Sequence, residues 1–178
     1  ARTNWSHKRP TVFFDRDGVL NEDIGGGGVI HRDEFVMIPS APGAVKRVND
    51  AGWLAVLTTN QPQIAKGLCT QAEAEIILAK LETLLGMERA KLDRIYYCPH
   101  HPEGGFPGEI PELKRSCDCR KPNDGMIRMA ERDLPIDLLR SCVIGDTFRD
   151  AGMARRAGLW IYGVRTGMGC RDREGAWA

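Results

Sequence analysis

No stretch of this 178-residue chain is apolar for long enough to cross a bilayer. The opening residues, ARTNWSHKRP, lack the apolar core of a secretory signal. Nor is there a surplus of charge, since 25 Lys and Arg face 24 Asp and Glu. That balance argues against a broad nucleic-acid or membrane-binding surface, so an anionic ligand must be captured by a local cluster. Internal repeats are missing, and low complexity is confined to Gly25 to Gly28. With 42% hydrophobic and 28% charged residues, the composition is that of a globular protein with one sizeable core. The expectation is a single domain over 1–178, cytoplasmic and monomeric, with no membrane or nucleic-acid partner.

What is present is an alternation of short apolar runs and helix-period segments. TVFF (11–14) is apolar on both faces, as a central parallel strand requires. APGAVKRVNDAG (41–52) predicts a helix, with proline near its start and glycine past its end. WLAVLTTN (53–60) predicts a second strand. In QAEAEIILAKLETLLG (71–86), Ile77, Leu81, Leu84 and Leu85 fall on one face of a 3.6-residue period. Strands at 93–98, 141–146 and 159–164 alternate with helices at 124–133 and 149–158. Such βαβ succession implies a Rossmann-like α/β/α fold of three layers around a central parallel sheet.

In sheets of this kind ligands bind beyond the carboxyl ends of the strands. Asp15 and Asp17 follow the first strand, Thr58, Thr59 and Asn60 the second, and Asp146 the fourth. Carboxylates crowded at one rim repel and raise one another's pKa unless a cation sits among them. A hard divalent ion such as Mg²⁺, which takes a few carboxylates and a substrate phosphate, fits that demand. A Mg²⁺ site that also holds phosphate points to phosphoryl transfer, with one carboxylate as nucleophile and the other as acid and base.

Four motifs carry a resemblance. DRDGVLN (15–21), TTN (58–60), RKP (120–122) and GDTFRD (145–150) resemble the signature motifs of the haloacid-dehalogenase-like phosphatases, in order and at strand ends. The likeness covers residues 11–167. It implies that Asp15 is the nucleophile and a Mg²⁺ ligand. Asp17 would be the general acid and base, giving the metal only its backbone carbonyl. Thr59 and Lys121 would hold the transferring phosphoryl group, Asp146 would be a Mg²⁺ ligand, and Asp150 would orient the metal site.

A second constellation is Cys98-x-His100, sixteen residues, then Cys117-x-Cys119. Three thiolates and an imidazole suit a closed structural Zn²⁺ site. The intervening loop has three Pro and three Gly and little to bury, so a staple would order it. His101 is the rival ligand; His100 is preferred because C-x-H mirrors C-x-C. The wording YYCPHHPEG and CDCRKPNDGM closely resembles the heptose-bisphosphate phosphatases, with histidinol-phosphate phosphatases as the alternative. That resemblance implies a phosphorylated-sugar substrate, a minimal cap, and a zinc-stapled loop over 98–119 that fixes Arg120 and Lys121.

The chain departs from that pattern in three places. Pro62, Gln63 and Lys66 follow TNQ where the relatives carry Ser, Gly and Arg. Gly25 to Gly28 replace a more structured turn, which predicts a mobile flap or a close backbone approach to a ligand. Thr147 stands where the relatives often place lysine. The candidates for remaining substrate contacts are Asn60, Arg120 and Lys66. The chain ends at REGAWA, short of a terminal strand and helix that the resemblance implies.

Overall fold

In the computed structural model, residues 7–25 and 27–172 are described. Five parallel strands form one sheet in the order β3-β2-β1-β4-β5. They are β1 Thr11–Phe14, β2 Leu54–Asn60, β3 Arg94–Cys98, β4 Cys142–Gly145 and β5 Trp160–Gly163. The helices are α1 Ala41–Asp50, α2 Pro62–Ala65, α3 Gln71–Met87, α4 Gly125–Asp133 and α5 Phe148–Ala157. Register pairs Phe14 with Leu57 on one side and with Ile144 on the other. β1 is therefore the switch point, with β2 and β4 built outward from it in opposite directions, and it opens a crevice at its carboxyl end.

All four residues of β1 are buried, as a strand covered on both faces must be. Phe14 joins Val12, Ala55 and Leu57 against Val45 of α1 and Ile77, Leu81 and Leu85 of α3. Phe13 points the other way, with Val56 and Val143, against Met126 and Ile127 of α4 and Met153 of α5. Each such side chain contributes about 2 kcal/mol on burial. The two phenylalanines thus tie both helical layers to the strand that carries the aspartates. α3 begins where expected because Thr70 Oγ1 accepts from Glu73 N and Glu73 Oε2 accepts from Thr70 N, a reciprocal cap.

The fold class read from the sequence is the one found, with boundaries shifted by one or two residues. Short α2 was not anticipated, nor were the single 3₁₀ turns at Arg32–Glu34, Pro111–Leu113 and Leu138–Arg140. Elements of one turn have no period to read. The loop expected to bury little lays Ile110 and Leu113 against Ile64 and Cys69. Among the described residues no helix is long and apolar enough to cross a membrane. Gly26 and the terminal REGAWA lie outside the described residues.

Candidate active site

β1 ends at Phe14, and Asp15 N donates to Ile144 O of β4 at 3.0 Å, so the chain leaves the sheet at the crevice. Asp15 Oδ1 lies 2.8 Å from Lys121 Nζ. That ammonium is buried and also reaches Asp150 Oδ1 at 2.6 Å, while donating to Thr58 O at 3.1 Å. Asp150 is the third residue of α5, and its Oδ2 accepts from Thr147 N and Thr147 Oγ1 at the helix start. Asp17 turns away: its carboxylate accepts from the Arg16 guanidinium and from Asn21 Nδ2 at 3.0 Å.

Asp146 follows β4 and is almost fully buried. Its Oδ2 accepts from Met168 N at 2.7 Å, whereas Oδ1 is buried with no hydrogen-bond partner among the described residues. A methyl group on Gly18 or Gly167 would overlap this carboxylate, and both glycines have positive φ, +79° and +59°. Two loops thus close on Asp146 as only glycine allows.

Oxygens of Asp15, Asp146 and Asp150 lie within 4.8 Å of one another. Burial pushes the Asp15 carboxyl up to about 7, with the Asp150 charge adding and Lys121 opposing. Burial likewise lifts Asp146 to about 6. Burial works against the Lys121 charge, yet Asp15 and Asp150 hold its pKa above the ordinary lysine value. Fully ionised, three carboxylates against one ammonium leave two negative charges in a buried cleft. The orphaned Asp146 Oδ1 and this excess charge both fit a hard divalent cation.

The second constellation converges as well. Cys98, Cys117 and Cys119 have Sγ atoms 3.1 to 3.4 Å apart, and His100 Nδ1 lies 3.6 Å from Cys98 and 3.4 Å from Cys119. Ligands in a tetrahedron at Zn–S distances would stand ~3.8 Å apart, so these four donors already surround one point. Hydrogen bonding with Cys98 and Cys117 draws the Cys119 thiol down to about 5 despite its burial, while Cys98 is pushed up. A shared proton in a thiol cluster is what a metal ion would displace. His101 stays outside: its Nδ1 takes Glu103 N at 3.2 Å and its ring meets Phe106 edge-on. Cys69, Cys142 and Cys170 are not part of the cluster.

A cavity of about 490 Å³ opens over the rim, and all of the sequence-predicted catalytic and substrate residues line it. Asn60 is there, but its carboxamide is engaged twice on the backbone of Lys121, donating to the carbonyl and accepting from the N–H. Arg120 donates to His100 O at 3.1 Å, which ties it to the Cys/His cluster. Lys66 lies over the Phe106 ring at 4.6 Å. Two wall residues went unread in the sequence, Phe148 and Arg149, while Gln63 and His101, read there as a departure and as the rival zinc ligand, also line the cavity. Arg149 carried a usable signal, since it occupies the first turn of the helix that follows β4.

Residues 118–178 match the family described as "HAD-hyrolase-like". The chain is 39% identical to a D-glycero-D-manno-heptose-1,7-bisphosphate 7-phosphatase of Thermosynechococcus vestitus, over 95% of this chain and 85% of the relative. It is 38% identical to the D-glycero-beta-D-manno-heptose-1,7-bisphosphate 7-phosphatase of Escherichia coli K12, over 89% and 80%. A solved D,D-heptose 1,7-bisphosphate phosphatase from B. bronchiseptica, complexed with magnesium and phosphate, superposes with a TM-score of 0.78 at 35% identity. That match covers 90% of this chain and 83% of the other. With the residues of its four sequence motifs gathered at the switch point of the sheet, the chain belongs to the haloacid-dehalogenase-like phosphatases, in the heptose-1,7-bisphosphate 7-phosphatase family.

Proposed function

We propose that this phosphatase removes the 7-phosphate of D-glycero-D-manno-heptose 1,7-bisphosphate through a phosphoryl group carried on Asp15. The observation that carries the mechanism is Asp15 at the mouth of β1, 2.8 Å from the buried ammonium of Lys121 and lining the cavity. The Asp15 carboxylate attacks phosphorus, and the bond from phosphorus to the sugar oxygen breaks. Asp17 gives its proton to that leaving oxygen. It then takes one from water, whose oxygen attacks phosphorus and frees Asp15 with release of phosphate. Thr59 and Lys121 hold the phosphoryl oxygens through both steps.

Asp15, Asp146 and the backbone carbonyl of Asp17 are suited to hold Mg²⁺, which supplies positive charge beside the carboxylates and the phosphoryl oxygens. Cys98, His100, Cys117 and Cys119 are suited to a structural Zn²⁺ that fixes the backbone carrying Arg120 and Lys121. The far phosphate meets Arg120, Lys66 and Arg149, three cations on the cavity wall. Phosphate release with Mg²⁺ is measured on both anomers of the heptose bisphosphate, fructose 1,6-bisphosphate and histidinol phosphate. A preference of about a hundredfold for one heptose anomer supports the assignment. A clear preference for histidinol phosphate discards the substrate but keeps the chemistry. Retention of hydrolysis by Asp15→Asn discards the nucleophile.

A further inference from the structure

We propose that Gln61 and Gln63 form a hydrogen-bond relay that sets the direction of the Thr59 hydroxyl proton and aims it at the phosphoryl group. The proposal rests on the placement of that group beside Asp15 and Lys121 argued above. Thr59 is buried at the end of β2, and its Oγ1 accepts from Gln61 Nε2 at 2.8 Å. Gln61 Oε1 in turn accepts from Gln63 Nε2 at 3.3 Å, and the same Nε2 donates to Val29 O at 3.4 Å. Both glutamine side chains are buried.

The order of donors is dictated from one end. A backbone carbonyl accepts and never donates. Val29 O therefore forces Gln63 to turn its NH₂ outward to the loop, and the same NH₂ faces Gln61 Oε1. With that oxygen committed, Gln61 turns its own NH₂ toward Thr59. The hydroxyl oxygen then receives a proton from Gln61 and must send its own elsewhere. Among the described residues Thr59 Oγ1 makes no other hydrogen bond, and Thr59 lines the cavity with Asp15 and Lys121. A hydroxyl fixed as donor before substrate arrives needs no reorganisation in the transition state.

Gln63 lies against Gly28 of the glycine run. A methyl group on Gly28 would come within 3.0 Å of Gln63 Nε2, and Gly28 has φ +81°. The glycine lets the loop approach closely enough for Val29 O to take the bond. Gln61 and Gln63 are positioning residues, because they act through Thr59 and not on substrate.

The test is a mutant cycle of wild type, Thr59→Val, Gln61→Glu and the double variant, with kcat and KM for the bisphosphate and native circular dichroism as the check on folding. Glutamate at 61 cannot donate from its carboxylate, so it accepts the Thr59 proton and diverts it. Thr59→Val is expected to lower kcat about a hundredfold, the loss typical of one such donor. Gln61→Glu is expected to lose about as much, and the double variant no more than Thr59→Val alone, because the two act on one proton. Losses that multiply, or a Gln61→Glu enzyme within about threefold of wild type, overturn the relay. If the buried glutamate prevents folding, Gln63→Met replaces it: about tenfold loss beside Thr59, and none in the Thr59→Val background, is the expected pattern. An equal loss in both backgrounds overturns the proposal. Failure of the phosphatase chemistry shows separately, as hydrolysis retained by Asp15→Asn. In that event the same cycle is read as inorganic phosphate binding by calorimetry, with non-additivity again expected and additivity overturning.

Discussion

Arg16, one of the largest fully buried side chains among the described residues, forks onto the carboxylate of its own sequence neighbour, with Nη2 3.0 Å from both oxygens of Asp17. The pair is lopsided. Arg16 is sealed from solvent, while the Asp17 side chain keeps 21% of its exposure. Asp17→Ala strands a buried guanidinium and is expected to cost about 3 kcal/mol of stability. Arg16→Met removes the buried charge and leaves Asp17 in contact with water, so stability should change by under about 1 kcal/mol. The second variant should still lose about tenfold in kcat, because the acid and base is no longer held. Urea unfolding and steady-state kinetics check both; an Asp17→Ala protein as stable as wild type refutes the asymmetry.

Metal and pH are linked through Asp15 and Asp146. Their carboxyls stand at about 7 and about 6 in the folded protein without a cation, against 3.8 for the ordinary aspartate. Through that window the folded state binds more protons than the unfolded chain, so stability falls as pH rises from about 4 to about 7. A divalent cation replaces those protons. The rise in melting temperature on adding Mg²⁺ to chelator-treated protein should therefore be larger near pH 8 than near pH 5. An equal or smaller rise at the higher pH contradicts the coupling.

Loss of the Cys/His site should disorder the loop while sparing the sheet. Cys117→Ser, or a strong chelator, is expected to remove roughly one zinc per chain by elemental analysis and to lower kcat/KM by tenfold or more. The cause is the loss of the support under Arg120 and Lys121, which sit next to Cys119 in the chain. Far-UV circular dichroism should barely change. A protein that contains no zinc and is fully active eliminates the structural-metal reading.

Arg149 tests the far-phosphate pocket. It lines the cavity with its guanidinium 5.1 Å from the Phe148 ring, and its charge, after burial, helps lower the pKa of Arg120. Two cations held near each other are relieved by an anion between them. Arg149→Ala should raise KM for the bisphosphate about tenfold, with kcat little changed. Hydrolysis of p-nitrophenyl phosphate, which has no second phosphate, should be unaffected. Equal losses on both substrates would place Arg149 outside the far pocket.

Much of this was legible in the chain itself, for local reasons. TVFF is apolar on both faces and so reads as a central strand; DRD follows it directly; and the period of Ile77, Leu81 and Leu85 reports the buried face of α3. The spacing of Cys98, His100, Cys117 and Cys119 likewise reports a donor set without any coordinates. What was missed is non-local or too short to have a period: α2, and the engagement of Asn60 by Lys121 across 61 residues.

The layers, the strand ends and the residue types gathered there are legible in the chain alone, because strand and helix patterning is written in neighbours a few positions apart. The closed fold alone sets His100 and not His101 among the cysteines, pairs Asp17 with Arg16, and lays Gln63 against Gly28 within reach of Gln61. These depend on which side chains meet after the sheet has closed, and adjacent residues such as His100 and His101 then point to opposite destinations.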